Sequence, residues 1–328
     1  MICLIKKNRS IPLALLIAEA AHRRTPPLHP RYPYIKKDHR NFSSGYKGES
    51  SVDYYLKNCP LSSSYIYHNL RFERPDDEAF EMDVLLTFPG YLLILEVKHY
   101  SGEPVTLKAD PHQLTWKSYE KKKNTFDDPI LQVKQQKKQL QLWLRTNNLP
   151  PMPVEYFVVM ANPHCEVILS PSYKERDRVI RPSYLEYLIY EFDQKHKKSI
   201  LTEGVLRDLD QALLSQHREL FKPGMERYNV SFEELKKGVH CPDCKYLKMR
   251  KVHRTWECAA CGFYSKEVLL DTLKDYYLKT GKSITNQLFS QWCEINNRKT
   301  IKKTFKRLDL NYDGETKARR YFLGALIP

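Results

Sequence analysis

The chain has 328 residues, of which 41% are hydrophobic, enough for two or three domains with a sizeable core. Nothing in it approaches the ~20 consecutive apolar residues of a membrane helix, so no membrane partner is expected. The net charge of +15 is unevenly spread: residues 1–235 carry 34 Lys and Arg against 30 Asp and Glu, residues 236–328 carry 20 against 9. A basic excess confined to the last third points to a polyanion, nucleic acid first, although a merely solvated basic surface has the same composition.

Residues 11–21, IPLALLIAEAA, follow KKNR and superficially resemble a signal peptide. The apolar run is short and Glu19 interrupts it. The spacing of Leu15, Leu16 and Ala20 predicts a docking helix instead. Residues 22–40 are Pro-rich and basic and read as an irregular tether. A helix is expected from GYKGESSVDYYLKN, with Val52, Tyr55 and Leu56 on one side. SYIYHNLRF alternates like a strand, RPDDEA reads as a turn, and FEMDVLLTF and YLLILEVKHY flank Pro89-Gly90 as a hairpin. EPVTLKA and QLTWKSY, within residues 103–119, read as a small β excursion. DDPILQVKQQKKQLQLWLRTNN is a helix with Asp128 as N-cap and Pro129 in the first turn, with Ile130, Val133, Lys137, Leu140 and Leu144 on one stripe. VEYFVVMAN is a further strand, and PSYLEYLIYEFDQKH and EGVLRDLDQALLSQH are further helices. The order helix, three strands, helix, strand, helices predicts an α/β core with a mixed sheet.

Side chains alternate along a strand, so Glu96 and Lys98 share one face with Ile94, and Leu93, Leu95 and Val97 share the other. If the strands pair around Pro89-Gly90, Asp83 and Glu96 are near-opposite. Adjacent carboxylates repel unless a proton or cation intervenes, and a hard divalent ion such as Mg²⁺ suits oxygen ligands. Beside it, Lys98 can position or deprotonate a water, the chemistry of phosphodiester hydrolysis. On Glu96 and Lys98 alone, a surface ion pair worth less than about 1 kcal/mol is the plainer reading.

GYKGE opening a helix, then FEMDVLL, YLLILEVKHYSG and DDPILQVKQQ, together resemble the nuclease-related domain (NERD) family, grouped with the PD-(D/E)XK nucleases, the fold of many restriction and recombination enzymes. The resemblance covers about residues 43–160. It implies a restriction-endonuclease-like core in which Asp83 and Glu96 hold Mg²⁺ or Mn²⁺, Lys98 is the catalytic lysine, Glu49 is the acidic residue of the first helix and Gln132 lies near the site. No Pro precedes Asp83, where the name-giving motif has one; Met82 does.

Of eight cysteines, Cys3, Cys59, Cys165 and Cys293 are scattered, whereas Cys241, Cys244, Cys258 and Cys261 form C-x₂-C, thirteen residues, C-x₂-C. That spacing predicts a four-thiolate structural Zn²⁺ with no open position, in a zinc ribbon, and Gly262 suits the second knuckle's turn. His253 would be a ligand only if it displaced a cysteine. Single thiols beside one metal cluster suggest a reducing, cytoplasmic compartment.

Beyond the ribbon, KEVLLDTLKDYYLKTG reads as a helix ending at Gly281, SITNQLFSQWCEINN as a second capped by Ser283 or Thr285, and RKTIKKTFKRLDL as a third with Ile301, Phe305 and Leu308 on its apolar face. NYDGETKARRYFLG reads as a hairpin about Asp313-Gly314. The pattern resembles a winged helix-turn-helix, which implies nucleic-acid contacts by Arg298, Lys299, Lys302, Lys303 and Lys306 on the third helix and by Arg319 and Arg320 on the wing. The same fold can also serve protein contacts with the basic face solvated.

The expected organisation is an N-terminal helix and tether (1–42), a nuclease-like core (43–160), a helical extension (161–236), a zinc ribbon (237–266) and a basic winged-helix-like domain (267–328). The expected function is a metal-dependent nuclease acting on nucleic acid, DNA first. The alternatives are a nuclease-like core that no longer cleaves and serves as a DNA-binding or scaffold protein, or a transcription-type reader.

Overall fold

The computed structural model describes residues 4–59, 64–73, 78–118, 122–253 and 255–327. Cys3 and most of the RPDDEA turn lie outside them. The chain divides into two compact units, Met1–Arg9 with Ser44–Glu219, and Ser10–Ser43 with Leu220–Pro328. It begins with strand β1 (Leu4–Lys7), helix α1 (Leu13–Arg24) and helix α2 (Tyr32–Asn58), whose residues from Ser44 onward belong to the first unit. The expected tether at 22–40 is a correction: only residues 25–31 are irregular, and α2 starts well before GYKGE. Pro26, Pro27 and Pro30 precede the helix, and Pro33 falls in its first turn, where no N–H is needed.

In the first unit, β2 (Tyr65–Glu73), β3 (Ala79–Thr87) and β4 (Leu92–Lys98) form an antiparallel meander. Next come β5 (Val105–Lys108), β6 (Gln113–Lys117), β7 (Lys123–Asp127) and α3 (Pro129–Thr146), then β8 (Val154–Met160), β9 (Val167–Leu169) and β10 (Val179–Ile180), then α4 (Leu185–Lys195) and α5 (Glu203–Gln216). The main sheet has the order β1-β2-β3-β4-β8-β10, with β1, β8 and β10 joined in parallel. The β excursion is a four-stranded sheet, β7-β6-β5-β9, larger than the two segments read from the sequence.

Both faces of the main sheet are covered, which is why β4 reads as an unbroken apolar run. Leu92 and Ile94 pack in one core with Ile130, Val133 and Leu140 of α3. Leu93, Leu95 and Val97 pack in the other with Val52 and Leu56 of α2 and Leu188 and Ile189 of α4. The Asp128 carboxylate accepts a hydrogen bond from the Ile130 amide at 2.9 Å, capping α3 as its sequence predicts. The buried stripe of α3 runs through Gln136, not Lys137. One irregularity bends the meander. Asn69 has a φ of +50°, and the inward face changes phase there: Tyr67 and Leu85 share a core with Leu70, Phe72, Met82 and Phe80, although their parity differs.

The second unit contains α1, the start of α2, and α6 (Gly224–Tyr228). It continues with β11 (Arg250–Val252), β12 (Thr255–Glu257), β13 (Tyr264–Ser265), α7 (Val268–Thr280), β14 (Ile284–Thr285), α8 (Asn286–Cys293), α9 (Arg298–Leu308), β15 (Tyr312–Asp313) and β16 (Arg320–Tyr321). β11, β12 and β13 form an antiparallel ribbon, and the last three strands form a sheet of order β14-β16-β15. The segments expected to be separate share one core. Ile17, Ala18 and Ala21 of α1 lie in it with Cys241 and Trp256 of the ribbon and Leu273, Trp292 and Phe305 of the C-terminal helices. The final hairpin is corrected: Asp313 pairs with Arg320, so the loop centres near Thr316 and not on Asp313-Gly314.

Buried charge organises this core. Arg24 is fully buried, donating to Asp275 Oδ2 at 2.8 Å and the Gly238 carbonyl at 2.7 Å, with its guanidinium 4.6 Å from the Trp292 ring. Burial alone would raise the Asp275 carboxyl, but Arg23 and Arg24 hold it below its ordinary value. Lys279 on α7 is also fully buried, and its Nζ has no hydrogen-bond partner among the described residues. Burial lowers its ammonium to about 8, so the charge is retained at neutral pH at a cost. Replacing it with Met is expected to stabilise the protein at pH 7 by up to about 3 kcal/mol. The gain should shrink as pH rises from about 8 towards 10.5, where the wild-type lysine sheds its proton. Thermal melts of both proteins across that range check this.

Candidate functional site

The site lies where β3 and β4 stop pairing. Their register runs from Thr87 opposite Leu92 to Val84 opposite Leu95, and the next positions on that ladder are Asp83 and Glu96. There the ladder gives way: the Asp83 side chain, not its backbone, accepts the Val97 amide hydrogen, with Oδ2 at 2.7 Å. The two carboxylates therefore meet at the end of a buried strand, as the hairpin count predicts.

Glu96 is only 2% exposed. Lys98 Nζ donates to its Oε1 at 2.7 Å and to Gln132 Oε1 at 2.9 Å. Gln136 Nε2 donates to Glu96 Oε2 at 2.7 Å. Gln132 and Gln136 are one turn apart on α3, so both amides face the end of β4. Gln136 escaped sequence reading, although the i, i+4 relation to Gln132 was a signal that could have found it. Its own Oε1 is buried with no hydrogen-bond partner among the described residues. An orphaned buried oxygen beside an acidic pair implies an absent positive or protic partner.

Charge balance supports that. Burial, then the charges of Glu96 and Glu49, lift the Asp83 carboxyl well above its ordinary range. Glu81, two residues earlier on β3, is also raised by burial and by Glu49 and Glu96. Burial lowers Lys98, but Glu96 outweighs it and raises the ammonium above its usual value. Lys98 is thus paired with Glu96, and the Asp83 carboxyl stays raised despite it. A hard divalent cation fits this donor set.

Glu49, on α2, is held by an arginine and an asparagine. Its Oε2 accepts from Arg9 Nη1 at 2.5 Å and Asn69 Nδ2 at 2.8 Å. Arg9 also grips Asp53 through two nitrogens, at 2.8 and 2.9 Å, and donates to Asn69 Oδ1 and His68 Nδ1. His68 accepts from Arg9 and is buried, so its imidazole stays neutral, with its pKa lowered to about 4. Among the described residues, Glu49 forms no set with Asp83 and Glu96 in which all ligand oxygens lie within 4.8 Å of one another. It acts on them through its charge, and burial raises its own carboxyl. Arg9 and Asn69 went unnoticed in the sequence, because a lone arginine before a strand and an asparagine in a β pattern carry no motif.

Two other predicted sets can be placed. The sulfur atoms of Cys241, Cys244, Cys258 and Cys261 lie within 4.8 Å of one another, with Cys241–Cys261 at 3.8 Å and Cys244–Cys258 at 3.5 Å. A tetrahedron with bonds of about 2.3 Å needs sulfurs about 3.8 Å apart, so the set fits Zn²⁺. The two knuckles match: the Lys245 and Gly262 amides donate to the Cys241 and Cys258 carbonyls, both from positive φ. On α9, Ile301, Thr304 and Phe305 are buried, and Arg298, Lys299, Lys302, Lys303 and Lys306 are exposed. Arg320 is exposed, but Arg319 is half-buried with its guanidinium 4.1 Å from the Tyr312 ring, which restricts its reach.

Residues 44–161 match the family model of the nuclease-related domain. No curated protein matches the chain. A solved structure, protein VC1899 from Vibrio cholerae, aligns with 15% identity and a TM-score of 0.26, over 52% of this chain and 37% of that one. Among the described residues, no helix is long and apolar enough to cross a membrane.

A carboxyl group whose pKa is raised by folding favours the folded state below the ordinary carboxylate range and loses that advantage as pH rises through its folded value. In divalent-free buffer, Asp83→Asn keeps an acceptor for the Val97 amide and is expected to be more stable than wild type at pH 7, because burial and the charge of Glu96 oppose ionisation of the wild-type carboxyl. The difference should vanish towards pH 3. Denaturant unfolding at the two pH values measures it.

Proposed function

We propose that this protein is a metal-dependent nuclease that hydrolyses phosphodiester bonds of nucleic acid, DNA first. Asp83 and Glu96 would hold Mg²⁺ or Mn²⁺. The observation that carries this reading is the meeting of two carboxylates at the end of β4, crowded enough to lift Asp83, beside the orphaned oxygen of Gln136. Bound there, the ion supplies Lewis acidity to the phosphodiester and makes a bound water more acidic.

The chain's own groups have separable parts. Lys98 is paired with Glu96, which raises its ammonium in the metal-free site. From there it would offer a positive charge to the phosphate or position or deprotonate a water. Gln136 holds one oxygen of Glu96 and Lys98 the other, so that carboxylate is fixed in orientation before any ligand arrives. Gln132 steadies the lysine. Glu49, fixed by Arg9 and Asn69, adds negative potential that favours a divalent cation.

In the second unit, the cysteine set would hold a structural Zn²⁺ and stiffen the ribbon. The order helix, strand, two helices, two strands, with β16 between β14 and β15, supports a winged-helix reading. The exposed cations of α9 would then contact DNA phosphates and bases.

The test is cleavage of plasmid and single-stranded DNA with Mg²⁺ or Mn²⁺. Glu96→Gln and Asp83→Asn are each expected to lower the rate at least 100-fold. Equal cleavage by wild type and both variants would refute the site, and Mn²⁺ binding by a wild type that never cuts would favour a non-cleaving nuclease-like DNA-binding protein.

A further inference from the structure

The second unit has a concave site away from α9. It is a cavity of about 630 Å³ between α1, the first turns of α2, residues 236–237 and the first cysteine knuckle. Its floor is aromatic. The His22 ring stacks on Tyr32 at 5.2 Å and on His39 at 5.1 Å, and Tyr32 Oη lies 3.0 Å from His22 Nε2. Tyr246, 51% exposed, forms part of the rim.

The walls are basic, and part of that charge is unbalanced. Arg23 is satisfied by Asp275, Lys248 by Glu294 at 3.0 Å, and Lys245 lies 3.9 Å from Glu19, the one carboxylate lining the cavity among the described residues. Lys236 has no acidic neighbour that raises it: burial and then Arg24 lower its ammonium. Lys237 donates to the Phe232 carbonyl and sits 3.6 Å from that ring, lowered by burial to about 8. His22 is lowered by burial, His39, Lys36 and Lys236. Cations that depress one another in a partly buried hollow are relieved by an anion.

We propose that this pocket binds a segment of single-stranded nucleic acid, with backbone phosphates on Lys236 and the neighbouring lysines and a base against the His22–Tyr32–His39 stack or Tyr246. Cations interleaved with ring faces suit unpaired bases, which stack at about 1–3 kcal/mol each, whereas a duplex offers a hollow only its phosphates. The volume takes roughly one or two nucleotides by the usual size of ligand pockets. The proposal rests on the nucleic-acid reading of this unit and adds a site to it. Duplex would engage α9, and a single strand, such as a frayed or nicked end, would engage the pocket.

Fluorescence anisotropy of the full-length protein without Mg²⁺ or Mn²⁺, with a labelled oligothymidylate and a labelled duplex of equal length, separates the possibilities. Lys236→Ala and Tyr246→Ala are each expected to weaken single-strand binding at least fivefold and duplex binding less than twofold, while Lys302→Ala combined with Lys303→Ala does the reverse. Retained duplex binding shows that the pocket variants are folded. Single-strand losses below fivefold in both pocket variants, or equal losses on both substrates, would overturn the pocket while leaving the nuclease reading intact. A wild type that binds neither substrate would overturn the nucleic-acid reading itself.

Discussion

The architecture of the first unit answers one electrostatic problem: two carboxylates from adjacent strands share a small, partly buried volume with too few cations. Asp83 and Glu96 repel each other, and Lys98 neutralises only part of that charge. A fold tolerates such a cost only if its other interactions exceed it. Here they do, because β4 is buried on both faces and Leu93, Leu95 and Val97 anchor it against α2 and α4 while Leu92 and Ile94 anchor it against α3. The apolar run is thus the reason two opposite charges can be presented at its end.

Around this pair the protein builds an orienting shell from distant parts of the chain. α3 delivers Gln132 and Gln136, one turn apart, to Lys98 and Glu96. β1 ends at the point from which Arg9 reaches Glu49, Asp53, Asn69 and His68. Asn69 contributes twice: its positive φ shifts the phase of the meander, and its amide bonds both Glu49 and Arg9. Asn tolerates that backbone region better than a β-branched residue would. Rigid support of this kind separates a preorganised site from a chance cluster of charge.

Much of this was legible in the sequence, for identifiable reasons. The hairpin around Pro89-Gly90 fixes which residues oppose each other, so the Asp83–Glu96 meeting follows from counting. The C-x₂-C spacing brings four sulfurs together, and the 3.6-residue period of α9 separates Ile301 and Phe305 from its lysines. What stayed hidden depends on tertiary partners. Gln136 is a polar residue in a buried stripe, and Lys137 looked equally suited until packing was known. Arg9 and Asn69 matter through contacts 40 and 20 residues away from themselves. The early start of α2 was masked by its prolines, which read as a tether although Pro33 lies where a helix accepts it. The sharing of one core by α1, the ribbon and the C-terminal helices has no local signature.

The central claim is that Asp83 and Glu96 together form the seat of a divalent cation. Titration of Mn²⁺ into the full-length protein, followed by loss of the free-ion electron paramagnetic resonance signal, tests it most directly, since it requires neither substrate nor turnover. Wild type should take up one Mn²⁺, Mg²⁺ should compete for it, and Asp83→Asn with Glu96→Gln should abolish uptake. Unchanged Mn²⁺ uptake in that double variant, or none in wild type, would contradict the account.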